Sequence, residues 1–246
     1  TTAPVITGGA DMLMEECSTP PAGNFPEFDF WLSDNAGATA DDLCDHPYAH
    51  PVCVAFTVTG QGAALPRTAG LPDHVFDNDG QLTKRPIRAL TLSALAPRPF
   101  EVLWDIGGGS GSISIEWLLA HPTTQAVSVE PDKDRAIRNA KNAASLGVDR
   151  LRVVTGSAPA ALEGLPVPDV IFVGGGLSEA LLAQLHSAFP GTRLVVNGVT
   201  LEAEALLSTW HAKIGGDLMR VEIAHAEPLG SKRGWRASFP IVQWSV

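Results

Sequence analysis

The segment Glu101–Trp117, EVLWDIGGGSGSISIEW, most narrows what this chain can become. A short apolar run (Val102, Leu103, Trp104, Ile106) ends in glycines, and Ser112–Leu118 then opens a helix. The pattern is strand, tight turn, helix, with Asp105 just ahead of the turn. Gly107, Gly109 and Gly111 let the backbone turn sharply and approach a ligand that a Cβ would hold off. A dinucleotide fingerprint requires G-x-G-x-x-G, and both possible frames fail, because Ser112 or Ser114 stands at the third glycine. Gln125–Val129 reads as a second strand ending at Glu130, about twenty residues on, where a carboxylate can accept both hydroxyls of a ribose.

What remains, D-x-G-x-G-x-G, resembles motif I of the class I S-adenosylmethionine (SAM) methyltransferases. That resemblance implies a SAM site made by Asp105, Gly107, Gly108, Gly109, Ser110, Gly111 and Glu130. The third strand ends at Thr155-Gly156-Ser157-Ala158, where Ser157 and Ala158 would edge the adenine. The acidic side chain usual at that point is absent, and Ser157 stands in its place.

Periodicity extends the frame. From Thr83, a capping residue, with Pro86 in the first turn, a helix is expected with Ile87, Leu90, Thr91, Ala94 and Leu95 on one face. Then come strand 101–106, helix 112–120, strand 125–130, helix 132–146 closed by Gly147, strand 151–155 and a short helix near 159–163. Strand 169–173, helix 177–188, strand 192–197 and helix 201–212 follow. Strands alternating with helices of this length predict an α/β fold, a Rossmann-like and mostly parallel sheet. Two final strands, 218–226 and 236–246, have no helix between them and should close the sheet as an antiparallel pair, the methyltransferase ending.

Charge divides the chain. Residues 1–66 hold nine acidic side chains and neither Lys nor Arg, whereas residues 67–246 hold eighteen acidic against seventeen basic. Neither part has the basic excess that drives binding to a phosphate backbone, so nucleic acid is not expected as a partner. No apolar run reaches the eighteen residues of a bilayer span. Three cysteines without a C-x-x-C fit a reduced, cytoplasmic setting. Thr1 in place of Met reads as the start of a cut piece. Within 1–64 only Pro51–Thr59 alternates as a strand, so that region is expected to be a fragment of another domain, with 65–82 a linker and 83–246 the catalytic domain. Cys44, His46, His50 and Cys53 offer four donors, but Cys53 sits in the alternating strand, and core thiols with surface imidazoles account for the set. No metal is expected.

The fourth and fifth strands end at Gly174-Gly175-Gly176 and at Asn197. Methyltransferases acting on base amines carry an Asn- or Asp-Pro-Pro-aromatic segment at the first of these points. Here bare glycines run into a helix, and amides at a helix N-terminus favour an anion. A substrate carboxylate is therefore expected at Gly174, Gly175 and Gly176. Lys84, Arg85 and Arg88, and Lys232, Arg233 and Arg236, form two small basic clusters; Lys84, Arg88 and Asn197 are taken as further substrate contacts. No catalytic acid, base or nucleophile is assigned.

The stretch from about Leu65 to Val246 resembles the C-terminal half of the precorrin-6Y C5,15-methyltransferases (decarboxylating), a family of aerobic cobalamin biosynthesis, and their stand-alone anaerobic-pathway relatives. The segments that carry this are LPRTAGLPDHVFDNDGQLTKRPIRALTLSALAPRP, LWDIGGGSGSISIEWL, DVIFVGGG, LVVNGVTLE, EPLG, GWR and PIVQW. The resemblance implies C-15 methylation of a precorrin tetrapyrrole with decarboxylation of its C-12 acetate. It implies SAM as cofactor, Thr83 among the SAM contacts, a tetrameric homo-oligomer, and 1–64 as the remnant of an N-terminal C-5 methyltransferase domain. A rival reading, a SAM enzyme acting on RNA or a small metabolite, is opposed by the near-neutral charge and the missing Pro-Pro-aromatic segment. A non-catalytic relative with a decayed site is opposed by the intact Asp105, glycine set and Glu130.

Overall fold

The chain divides into two units, Thr1–Ala64 and Leu65–Val246. The computed structural model describes residues 65–66, 68–148 and 150–246 of the second. The strand at Pro51–Thr59, the Cys44/His46/His50/Cys53 set and the domain fragment read into 1–64 lie outside the described residues.

After a short 3-10 turn (Asp73–Val75) the elements run α1 (Arg85–Leu95), β1 (Val102–Ile106), α2 (Ser112–Ala120), β2 (Gln125–Glu130), α3 (Lys133–Ser145) and β3 (Arg152–Thr155). Then come β4 (Val170–Val173), α4 (Glu179–Ala188), β5 (Arg193–Gly198), α5 (Leu201–Ile214), β6 (Asp217–Val221), β7 (Ala224–Leu229), β8 (Lys232–Ala237) and β9 (Ile241–Ser245). One sheet has the order β3-β2-β1-β4-β5-β9-β6. β1 to β5 are parallel, and β9 is antiparallel to both β5 and β6. β7 and β8 pair separately as a hairpin. The expected antiparallel pair closes the sheet as β6 and β9, and the segment read as one connection adds a hairpin between them, turned at Gly230 (φ +59).

The apolar strands separate their side chains onto two faces. Leu103 packs in a core with Leu92, Leu95, Ile113 and Trp117, whereas Trp104 and Ile106 pack in a second core with Leu182, Leu185, Leu207 and Trp244. Helix ends follow their caps. Asp132 accepts from the backbone N–H of Asp134 and Arg135 to start α3, and Gly147 at φ +72 follows its end. The expected start of α1 is corrected: Lys84 is the N-cap residue and Thr83 lies outside the helix. The buried face of α1 is Ile87, Arg88, Thr91, Leu92 and Leu95, with Leu90 exposed instead.

Arg88, expected at the substrate, is 0 % exposed. Its guanidinium donates to Glu116, to Asp73 and to the carbonyls of Thr83 and Leu71. Glu116 in turn accepts from the backbone N–H of Gly70 (2.6 Å) and Leu71 (2.9 Å). Every nitrogen of the guanidinium and both oxygens of the carboxylate have a hydrogen-bond partner, which is what makes such burial tolerable. The pair ties residues 70–83 to α1 and α2, and Leu71 and Phe76 enter the core. The segment expected as a linker is therefore largely part of the domain. Among the described residues no helix is long and apolar enough to cross a membrane.

Arg88→Met leaves Glu116 buried without its cation and should cost about 3–5 kcal/mol of stability, the usual penalty for removing one partner of a buried pair. Urea denaturation at neutral pH reads this directly, and a loss below about 1 kcal/mol, typical of exposed pairs, would contradict the role given to the pair.

Candidate active site

The strand order reverses between β1 and β4, the place where open parallel sheets receive ligands beyond their carboxyl ends. The two glycine turns meet there. A Cβ on Gly107 (φ +77) would lie 2.5 Å from Gly175 N, so the ends of β1 and β4 touch backbone to backbone. A Cβ on Gly108 would strike Ser128 Oγ, and one on Gly111 (φ +79) would strike Asn139 Oδ1. Asn139 donates to Ser128 Oγ (2.8 Å), and Asn142 donates to Ser110 O (2.9 Å), so α3 holds the turn from behind. Packing thus accounts for three of the four glycines. Gly109, at φ +55, has nothing within 4 Å of where its Cβ would stand. It faces a cavity of about 1150 Å³, whose lining includes Asp105, the turn, Glu130, Ser157 and Ala158, Gly174–Gly176, Lys84 and Asn197.

Asp105 is buried at the end of β1. Its Oδ2 accepts from Ser114 N (3.2 Å) and Ser114 Oγ (2.6 Å), while Oδ1 has no partner in the protein. Burial raises its pKa from the ordinary 3.8 to about 6; the Ser114 hydrogen bonds act against this and nearby Glu130 adds to it. A buried acidic oxygen without a donor, on a cavity wall, is a site for a cationic or hydrogen-bond-donating ligand group. Glu130 Oε2 accepts from Gly109 N (2.8 Å) and Oε1 from Asp132 N (3.0 Å). Each carboxylate oxygen keeps a second lone pair, so the side chain is fixed yet can still accept ligand hydroxyls.

Around the other glycine turn two expectations change. Gly174 N (2.9 Å) and Gly175 N (3.3 Å) both donate to Ile106 O. Helix α4 begins only at Glu179, capped by Ser178, whose Oγ accepts from Leu181 N (3.2 Å). The bare helix N-terminus expected at the triplet is therefore absent, and Glu179 adds an acidic side chain to the first turn. Space is uneven along the triplet. A Cβ on Gly174 would press on Phe172, one on Gly175 would only touch Gly107 Cα at 3.4 Å, and Gly176 (φ +70) is open.

Asn197 is held at the end of β5. Its Nδ2 donates to Thr91 Oγ1 (2.8 Å), and its Oδ1 accepts from Gln243 Nε2 (2.9 Å). Gln243 and Thr91 gave no sequence signal, since each lies singly among apolar residues. Lys84 lines the cavity, but Arg88 is spent on Glu116 and Asp73. Arg135 also reaches the cavity, with its guanidinium bonded to Asp79 at 2.7 Å. Among the described residues no group of three or more His, Cys, Asp or Glu side chains is placed to hold a metal.

Two measurements check this geometry. A carboxyl whose native pKa lies above its unfolded value holds its proton more tightly when folded. Wild-type stability at Asp105 should thus fall as pH rises through roughly 4 to 6 and stay level above. Relative to wild type, Asp105→Asn should gain on the order of 3 kcal/mol between about pH 4 and pH 7. A difference that does not change with pH would refute the raised pKa. Among the glycines, Gly109→Ala should fold with only the left-handed backbone penalty, about 1–2 kcal/mol. Gly107→Ala should lose far more through the clash with Gly175. Thermal unfolding separates the two, and equal melting points would exclude the contact.

A precorrin methyltransferase domain is recognised over residues 74–246. The chain is 53% identical over 201 residues to a precorrin-6Y C(5,15)-methyltransferase [decarboxylating] of Sinorhizobium sp, covering 80% of this chain and 49% of that protein. The chain spans about half the length of the curated relatives it matches first. The crystal structure of the C-terminal domain of precorrin-6Y C5,15-methyltransferase from Rhodobacter capsulatus superposes with a TM-score of 0.71 at 54% identity, covering 74% of this chain and 98% of that one. A SAM-dependent O-methyltransferase from Thermotoga maritima shares the fold alone, with a TM-score of 0.54 at 13% identity over 67% of this chain and 66% of that one.

Proposed function

The chain belongs to the precorrin methyltransferase domain family, and from that premise we propose that residues 65–246 methylate C-15 of a precorrin tetrapyrrole and release its C-12 acetate as CO2, in cobalamin biosynthesis. The observation that carries this reading is the meeting of Gly107 and Gly175 at the floor of one large cavity, with the unpartnered Asp105 oxygen beside it. At about 1150 Å³ the cavity exceeds the ~300–1,000 Å³ usual for one ligand and has room for a nucleoside donor and part of a macrocycle.

The residues fit S-adenosylmethionine. Asp105 Oδ1 offers an acceptor to its ammonium, Glu130 offers lone pairs to its ribose hydroxyls, Gly109 leaves room for its approach, and Ser157 and Ala158 edge the adenine. Gly107, Gly108, Ser110, Gly111 and Thr83 complete that side. When bound, the cofactor supplies a methyl group already activated on a sulfonium. The protein's own work is then to orient and to exclude water, which for a well-aligned pair supplies much of the rate. Asp105 and Glu130, both buried, fix one partner. Asn197, locked by Thr91 and Gln243, and Lys84 meet the other, whose carboxylates suit a cation. Gly176 is the member of its triplet left open for close approach. The electrons left by departing CO2 can delocalise through the macrocycle toward C-15, so the chemistry asks for no strong base. Residues 1–64 are assigned to an N-terminal C-5 methyltransferase region and no step here, and the active form to a homo-oligomer.

Incubation with S-adenosylmethionine and the C-5-methylated tetrapyrrole should yield a product that has gained one methyl and lost one CO2 by mass spectrometry. Methylation of RNA with none of the tetrapyrrole would overturn the reading. Glu130→Ala should weaken S-adenosylhomocysteine binding at least about tenfold, since a hydrogen bond to a charged acceptor contributes about 1.5–3 kcal/mol. Calorimetry showing wild-type affinity would remove Glu130 from the site.

A further inference from the structure

Along the carboxyl edge of the sheet the cavity changes character. Over β3, β2 and β1 its lining carries the glycine-turn backbone, Ser157 and the carboxylates of Glu130 and Asp105, set among Ile106, Val129 and Ala158. Over β5, β9 and β6 the lining is mostly apolar, with Asn197 and Ser238 as its polar members. Gly198 pairs with Val242, and Ile241 with Val221, so Val199, Ile241 and Val221 arrive at the same edge, with Ile223 and Phe239 beside them. Phe239 is 85 % exposed and Val199 60 % exposed. Neither is needed for the cores, and among the exposed large apolar side chains of the described residues these two line the cavity. An exposed apolar surface within a polar rim marks a ligand or partner site.

The β7–β8 hairpin adds charge above this wall. Strand alternation puts His225, Glu227 and Arg236 on the cavity side. Arg236 pairs with Glu227 at 3.1 Å, with the two side chains 76 % and 47 % exposed. A pair so exposed contributes little, so a ligand carboxylate can replace Glu227 at the guanidinium. Lys84 has no ion-pair partner among the described residues and lines the same cavity.

We propose that the β5–β9–β6 half of the cavity, with the inner face of the β7–β8 hairpin, is the platform for a flat apolar ring bearing carboxylates at its rim. Phe239 and Val199 contact the ring face, and Arg236 binds a rim carboxylate. The identity of the ring rests on the tetrapyrrole reading above, whereas the division of the cavity into a nucleoside half and an apolar, cation-rimmed half does not. Phe239 and Arg236 are then specificity residues for the acceptor and silent toward the donor.

The test uses the full chain with Phe239→Ala, Val199→Ser, Arg236→Gln and Arg236→Lys. Steady-state methylation of the C-5-methylated tetrapyrrole is measured beside calorimetry with S-adenosylhomocysteine. Phe239→Ala and Arg236→Gln should each raise KM for the tetrapyrrole roughly tenfold. Arg236→Lys should recover part of that loss, and S-adenosylhomocysteine affinity should be unchanged throughout, which also certifies the fold. Wild-type KM in Phe239→Ala and Val199→Ser would overturn the platform and leave the proposed function standing. A changed sedimentation coefficient at wild-type KM would reassign Phe239 to a contact between copies of the chain, again overturning the platform. If the wild-type protein methylates no tetrapyrrole, the proposed function fails first and the ring assignment falls with it.

Discussion

Gly107 and Gly175 touch backbone to backbone where β1 and β4 end, and most of the site follows from that contact. Gly174 N and Gly175 N both reach Ile106 O, so the second turn is hydrogen-bonded to the last residue of β1. Gly108 and Gly111 are closed from behind by Ser128 and Asn139. A loop fixed on two sides cannot relax to fill its own cavity. What stays open is the space in front of Gly109 and Gly176, one on each turn. The fold thus positions two approach points on either side of one fixed junction, an arrangement suited to bringing two ligands together.

Asp105 shows the cost of such a junction. A carboxylate near the buried end of β1 is stabilised by the hydroxyl and amide of Ser114, but only at one of its oxygens. Burial raises its pKa, and the Ser114 hydrogen bonds offset only part of that. Polar groups left unpaired in a core are destabilising, and they persist where a ligand completes them. Glu130 is the contrasting case: it is equally buried, but two backbone amides hold it. The first carboxylate is poised for a charged partner, and the second is a pre-oriented acceptor.

How much of this the sequence disclosed depended on the range of the interactions. Alternation of period two and period 3.6 placed the strands and helices, and Gly147 marked the end of α3, because those signals are local. The glycine turn, Asp105 and Glu130 were legible since a turn and the following strand end lie within one βαβ unit. Arg88 was not. A cation between Pro86 and Leu90 reads as a surface contact for the substrate, whereas its burial depends on Glu116, twenty-eight positions away, and on Asp73 in a segment read as linker. Ser178 and Glu179 mattered for a related reason. The apolar pattern extends the helix back to Leu177, yet the cap that fixes its start is a serine one residue later. The hairpin was hidden because Leu218–Ala226 reads as one strand, although its halves pair in different sheets.

The antiparallel strand β9 explains why one cavity can carry two chemistries. Parallel strands present only their carboxyl ends at the ligand edge, so each contributes the loop that follows it. β9 runs the other way between β5 and β6, so it brings its first residue, Ile241, and Phe239 before it to that edge. It also sets the end of β6 against its own start, where Val221 and Ile223 lead directly into the hairpin. Without that reversal the sheet would stop at Asn197 and Val199, and the cavity would lose its apolar wall. The half of the sheet that continues in parallel holds the polar strand ends, Asp105, Glu130 and Ser157. The reversed half supplies an apolar floor and a basic overhang, and the two meet at Gly107 and Gly175.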